Sequence, residues 1–256
     1  EIPLRLVGSE MCIRDSSAAA STPPTKRRRG FLVFLRDVLV IVVIAALVSF
    51  VVKTFVVRSF YIPSASMERT LMVKDRILVD ELTPRWNDYE RGDVVVFKDP
   101  GGWLDGQPQT PAQPPLIEAF DWMLNVIGIS ATDSQDHLVK RVIGLPGDHV
   151  VCCNALGQIT VNGAPIDELG YLNLPDGDTA ASNEPFDVVV PEGSLWLLGD
   201  NRDRSRDSRA HQDLPSGGFV PIENVVGKAF FTTWPFDRMG TIDGHHDSFN
   251  GVPDPE

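Results

Sequence analysis

A basic cluster, Lys26-Arg27-Arg28-Arg29, runs directly into an apolar stretch from Phe31 to Val57, whose middle, Val38 to Val52, carries no charge. Such a segment as a helix rises roughly 40 Å, enough to cross a hydrocarbon core of about 30 Å. It is read as a transmembrane helix over residues 31–57. Arg36 and Asp37 sit near its basic end, where they can pair with each other and snorkel toward headgroups. A cleavable signal peptide has the same basic flank, but a small-x-small site should come after the apolar run, and Lys53-Thr54-Phe55 stands there instead. The excess of Lys and Arg marks residues 17–30 as a cytoplasmic basic tail. The expectation is a single-pass protein of the cell membrane, with the bilayer as a partner and everything from Arg58 onward extracytoplasmic.

Residues 1–16 show no periodicity and no continuity with the rest of the chain; they read as translated adapter sequence, a non-native artefact that takes Cys12 out of the cysteine count. The formal charge of −12 is unevenly spread. Residues 1–57 carry 8 basic and 4 acidic side chains, which leaves 15 basic and 31 acidic for the remainder. A body that acidic excludes nucleic acid as a partner, because phosphate binding needs clustered Lys and Arg.

Beyond Arg58 the chain breaks into short runs rich in Val, Ile, Leu and Phe. Strands are expected at 76–80, 93–97, 137–143, 149–152, 158–162, 186–190, 194–198 and 225–232, most of them separated by Gly, Pro, Asn or Asp. Asn162-Gly163 is a hairpin signal. The fold class is mainly β, antiparallel, with one N-terminal transmembrane helix and a catalytic β-domain spanning 58–236. An insertion at 100–136 interrupts it. Its first half is too rich in Pro and Gly for regular structure, and its second half places Leu116, Phe120, Met123, Leu124 and Ile127 at helical spacing, to cover the core or to dip into the membrane surface. Residues 237–256 show no convincing element and read as a disordered tail, so His245 and His246 are no metal site. Cys152 and Cys153 are adjacent and have only each other or another molecule as partners.

The stretch after the helix, Tyr61-Ile62-Pro63-Ser64-Ala65-Ser66-Met67-Glu68-Arg69-Thr70-Leu71, is either a turn or the home of a nucleophile, Ser66. A serine hydroxyl needs a base and a place for the oxyanion. Histidines are available at 137, 149, 211, 245 and 246, but no Gly-x-Ser-x-Gly elbow is present. Among the lysines, Lys140 stands on a strand with Leu138 and Val142 on its own face. Burial there would lower its pKa toward neutrality. Lys228, flanked by Val226 and Phe230, is the second candidate.

Four segments together resemble the bacterial type I signal peptidases, Ser/Lys leader peptidases, in an actinobacterial style. They are Pro63-Ser64-x-Ser66-Met67, Arg91-Gly92-Asp93-Val94-Val95-Val96-Phe97, Lys140-Arg141-Val142-Ile143-Gly144-Leu145-Pro146-Gly147-Asp148, and Gly199-Asp200-Asn201-Arg202-x-x-Ser205-x-Asp207-Ser208-Arg209. The resemblance implies a signal-peptidase-like β-fold and a serine endopeptidase that removes signal peptides from secretory preproteins after a small-x-small site. It implies Ser66 as nucleophile and Lys140 as general base. Ser64 and the Ser66 N–H would form the oxyanion hole, and Ser205 would aim the Lys140 amine. Asp200, Asp207, Arg209 and Arg141 would hold the segments together by ion pairs. It implies no cofactor and no metal. Arg69 departs from the family's Pro and Lys74 from its Gly, which bears on local geometry. A self-cleaving Ser/Lys regulator and a membrane-tethered, non-catalytic β-domain are the rival readings.

Overall fold

The structure, a computed structural model, describes residues 27–55, 57–82, 86–104, 136–175 and 177–255. Residues 1–16, expected to be an artefact, most of the expected basic tail and residues 105–135, with the expected insertion helix, lie outside the described residues.

Helix α1, Arg27–Phe55, contains the apolar segment Gly30–Ser49, which is long and apolar enough to cross a membrane. Arg36 and Asp37 pair at 2.8 Å on its surface. The helix ends two residues before the expected limit, because Val57 already pairs with Asp80 in a sheet.

The β-body is described by itself. Its strands are β1 Val57–Tyr61, β2 Arg76–Asp80, β3 Val94–Lys98, β4 His137–Gly144, β5 His149–Cys152, β6 Thr160–Val161, β7 Ala164–Pro165, β8 Phe186–Val189, β9 Ser194–Leu198, β10 Val220–Pro221, β11 Val225–Trp234 and β12 Gly240–Thr241. The larger sheet runs β1-β2-β11-β3-β4-β9-β10, with β12 also on β11; the smaller runs β7-β6-β5-β8. All these pairings are antiparallel. Asn162 and Gly163 have φ of 51° and 81° and close the β6–β7 hairpin, as their sequence predicts.

The core falls into three clusters. One joins the two sheets through Ile143, Val150, Ile159, Phe186 and Trp196. A second gathers Phe60, Ile62, Met67, Leu71, Ile77 and Val79 under the serine segment. The third holds Val95, Phe97, Trp103, Val142 and Leu197. Trp103 is drawn in by a turn in which the Asp99 carboxylate accepts the Gly101, Trp103 and Leu104 N–H groups. The first residues of the insertion are thus ordered, although Pro and Gly exclude regular structure.

One expectation from sequence needs correction. Residues 237–255 are no disordered tail: they carry a 3-10 turn at 236–238, β12 and a second turn at 246–249, and Phe249 is buried in the first core cluster. A lone aromatic among Asp, Gly and His leaves no periodic pattern, so its docking could not be read from spacing. Of the two partners open to the adjacent cysteines, the structure has the nearer: Cys152 and Cys153 are joined to each other by a disulfide.

Candidate active site

Pro63 turns the chain out of β1. Met67 and Leu71, four residues apart, then plug the second core cluster. Between them the backbone winds into successive turns, with the Glu68 N–H on the Ala65 carbonyl at 3.1 Å and the Leu71 N–H on the Met67 carbonyl at 2.7 Å. The apolar plugs fix the turn, and the turn fixes Ser66. Its hydroxyl lies 3.3 Å from that of Ser64.

Lys140 arrives from β4, opposite Val95 on β3. Its side chain is 2% exposed. The amine donates to Ser66 Oγ at 2.7 Å and to the Val139 carbonyl at 3.0 Å. Burial pushes its pKa down to about 8, against the upward pull of Asp207 and Asp200 and with a smaller downward push from Arg209. That displacement from 10.5 corresponds to roughly 3 kcal/mol of disfavoured charge. A neutral amine facing a serine hydroxyl in a dry setting can take its proton. Lys228, the other candidate, is engaged with Asp93 in an ion pair.

The ion pairs expected of Asp200, Asp207, Arg209 and Arg141 are present. Arg141, fully buried, meets Asp200 with two bonds of 2.8 Å, and Thr70 Oγ1 donates to the same carboxylate at 2.5 Å. Burial tends to raise the Asp207 carboxyl, but Arg209, the Gly199 N–H and the neighbouring Ser205 hydroxyl hold it below the usual range. Arg209 Nη2 and Nε each lie 2.8 Å from it. Asp148 accepts two bonds from Arg91, tying two of the four sequence segments together.

Ser205 departs from its expected place. Its hydroxyl is buried without a well-aligned partner among the described residues, and the Lys140 amine is not bonded to it. It is nevertheless next to Ser66: a Cβ on Gly199 would lie 2.2 Å from Ser205 Oγ and 2.5 Å from the Ser66 carbonyl oxygen. The Asn201 N–H binds that same carbonyl at 3.1 Å, which locks the last segment onto the serine turn. Arg69 donates to the Leu172 carbonyl at 2.7 Å, and the Asn201 side-chain amide donates to Glu68.

Ser66 and Lys140 open into a pocket of about 220 Å³ lined by Phe60, Ile62, Met67, His137, Leu138 and Val139, with Arg204 and Arg206 also on its wall. The apolar lining was not foreseen, because strand alternation does not say which residues face a cavity. Two further contributors were missed. Glu168 and Arg202 form a buried ion pair to which the Tyr171 hydroxyl donates, and Arg141 lies 4.2 Å over the Tyr171 ring. A single Glu in a polar loop carries no signal of this kind. Glu90, Asp93 and His246 converge within 4.8 Å, but the Lys228 ammonium already occupies Asp93.

The family described as signal peptidase, peptidase S26, matches residues 35–234. A signal peptidase I of Mycobacterium tuberculosis is 39% identical over 244 residues, covering 89% of this chain and 81% of its own. A probable signal peptidase I-2 of Synechocystis is 33% identical, covering 91% and 86%. A crystal structure of an Enterococcus faecalis signal peptidase I matches 56% of this chain and 97% of its own at 23% identity, with a TM-score of 0.34.

Proposed function

The chain belongs to the signal peptidase family, peptidase S26, and on that premise we propose that Ser66 and Lys140 carry its serine endopeptidase activity. The observation that supports this most directly is the 2.7 Å bond between the Lys140 amine and Ser66 Oγ beside an apolar pocket. The neutral amine takes the Ser66 proton as Oγ attacks the scissile carbonyl carbon. Negative charge gathers on the carbonyl oxygen, where the Ser64 hydroxyl and the Ser66 N–H donate to it. Collapse of this intermediate breaks the peptide bond. The Lys140 ammonium returns its proton to the departing amine of the mature protein, and the signal peptide is left as an ester on Ser66. Lys140 then deprotonates a water, which hydrolyses the ester and restores the serine.

Asp200, Asp207, Arg141 and Arg209 hold the strands and the final loop in register around this pair. Ser205 supports the same loop; its hydroxyl serves the Lys140 amine once the bond to Ser66 is broken. The substrates are secretory preproteins with Ala-sized residues flanking one variable position, and the body lies on the extracytoplasmic side of a membrane that α1 crosses once. The pocket favours such side chains because it is small and mainly apolar.

The test is cleavage of a detergent-solubilised precursor by the full chain, with the cut read by mass spectrometry. Ser66→Ala and Lys140→Ala are each expected to slow cleavage by ~10⁴-fold. A Lys140→Ala protein at full rate would remove the lysine from the mechanism, and cutting at no small-x-small site would remove the substrate class.

A further inference from the structure

Residues 240–252 form a strap fixed at several points. Gly240 and Thr241 pair with β11; the His245 ring lies 5.4 Å from that of Tyr171; His246 Nδ1 donates to the Arg91 carbonyl at 2.9 Å; Phe249 enters the core. Between these anchors the Gly244 and Asp243 carbonyls accept from Arg141 Nη1 at 2.9 and 3.3 Å. The Gly92 carbonyl accepts from the same nitrogen at 2.7 Å. The approach is tight. Gly92 has φ +96°, and a Cβ there would stand 2.2 Å from the Gly244 oxygen.

A guanidinium has five N–H donors. Asp200 takes two on Nε and Nη2, Thr70 Oγ1 takes a longer bond on Nη2, and three carbonyls crowd Nη1. Two of those three carbonyls come from the strap. Removing them would open that side of Arg141 to water, and with it the buried pair that Arg141 makes with Asp200, one residue along β4 from the lysine.

Resting on the assignment of Ser66 and Lys140 given above, we propose that the strap is a positioning element of the active site: the Asp243 and Gly244 carbonyls cap Arg141 and keep the Arg141–Asp200 pair dry and fixed beside Lys140. The strap never touches substrate. It acts on the base through its neighbours. Burial is the largest influence on the amine and favours its neutral form; Asp207 and Asp200 oppose this, and Arg209 assists it. His137, Arg204 and Arg206 share the pocket. A loosened strap leaves Asp200 less fully neutralised by Arg141 and admits water. Both changes favour the ammonium.

The chain has six lysines, at 26, 53, 74, 98, 140 and 228, few enough to follow one by one with ¹³C-labelled lysine in the detergent-solubilised full chain. Lys140→Arg assigns the signal. In Gly92→Ala and in Phe249→Ala the Lys140 midpoint is expected to rise by about one pH unit, a tenfold loss of neutral amine. At pH 7, kcat should fall about tenfold while KM stays within twofold. Val220→Ala, a core substitution on β10 in the third cluster, to which no strap residue belongs, should leave the Lys140 midpoint in place. Phe249→Leu, which keeps an apolar anchor, should lie between Phe249→Ala and the parent, and it serves where the harsher variants do not fold.

Strap variants that titrate with the parent, or a control that shifts as far as they do, overturn the proposal. The lysine titration needs no substrate, so the two readings can fail separately. A parent whose Lys140 titrates low but which cuts no precursor refutes the substrate assignment and leaves the strap standing. A parent Lys140 that titrates near 10.5 refutes the base, and the strap with it.

Discussion

With Lys140 proposed as the general base, its charge state would set the pH at which the enzyme works. The neutral amine would be the working form. Because burial lowers its pKa to about 8, the neutral fraction grows as pH rises through that value. The rate of precursor cleavage under kcat conditions should therefore increase about tenfold between pH 7 and pH 9, along a single rising limb. A profile that is flat over this interval, or that rises with a midpoint near 6.5, would point to an imidazole as the base. The sequence suggests Lys140 because Leu138 and Val142 share its face, and that argument is sound as far as it goes. Lys228 has the same kind of flanks, and periodicity alone could not choose between them. Val95 stands opposite both lysines in the sheet; the choice is made by their surroundings, since the Lys140 amine is buried against Ser66 Oγ, whereas Lys228 is partly exposed and has the Asp93 carboxylate within reach. Ser205 shows the opposite case. It lies beside Gly199 and Ser66, but its bond to the amine is not made; the acceptors of the amine are Ser66 Oγ and the Val139 carbonyl.

At the scale of elements, the strands were legible because each needs only a short apolar run between turn residues. Those at 76–80, 149–152 and 194–198 fall where their composition puts them. The short partners β1, β7, β10 and β12 were not legible, since two to five residues completed by a neighbour's hydrogen bonds need no pattern of their own. The loop between the serine turn and β2 adds a second lesson. Lys74 holds a φ of 79° while its N–H binds the Ile62 carbonyl at 2.9 Å. A left-handed conformation costs a residue with a Cβ about 1–2 kcal/mol, part of which glycine forfeits to its freer unfolded state. Lys74→Gly should thus stabilise the body by about 0.5–1 kcal/mol, seen as a rise in Tm of about 1–4 °C, without altering the cleavage rate. A fall in Tm would mean that the exposed ammonium contributes more than the backbone strain costs. The departure from the family's glycine would then be a matter of stability and not of activity.

On the scale of the whole molecule, charge and anchor have to be weighed together. Beyond residue 57 the chain carries 31 acidic against 15 basic side chains, so an anionic bilayer repels the body that must work beside it. Net charge of that sign gives the body no overall attraction to such a surface. The tie to the membrane then falls to the apolar segment Gly30–Ser49, whose hydropathy and length suffice for a span. Ser66 comes eleven residues after the end of α1, so with α1 in the bilayer chain length alone keeps the proposed nucleophile within about 40 Å of the helix end. A preprotein whose own apolar signal is in the same bilayer is confined to the same region, and the encounter becomes nearly intramolecular. Tethering of this kind raises effective concentration by about 10²–10⁴ without any new contact. A chain beginning at Val57 should retain kcat on a short soluble peptide to within about twofold, because Ser66, Lys140 and the described lining of their pocket all belong to the β-body. On precursors embedded in vesicles its kcat/KM should fall by about 10²–10³ relative to the full chain. Equal rates on embedded precursors would show that the body finds the bilayer unaided, and the acidic surface would then have to be screened or turned away from it. Loss on both substrates alike would show instead that the body depends on the helix for its fold, which a parallel Tm measurement separates from the first outcome.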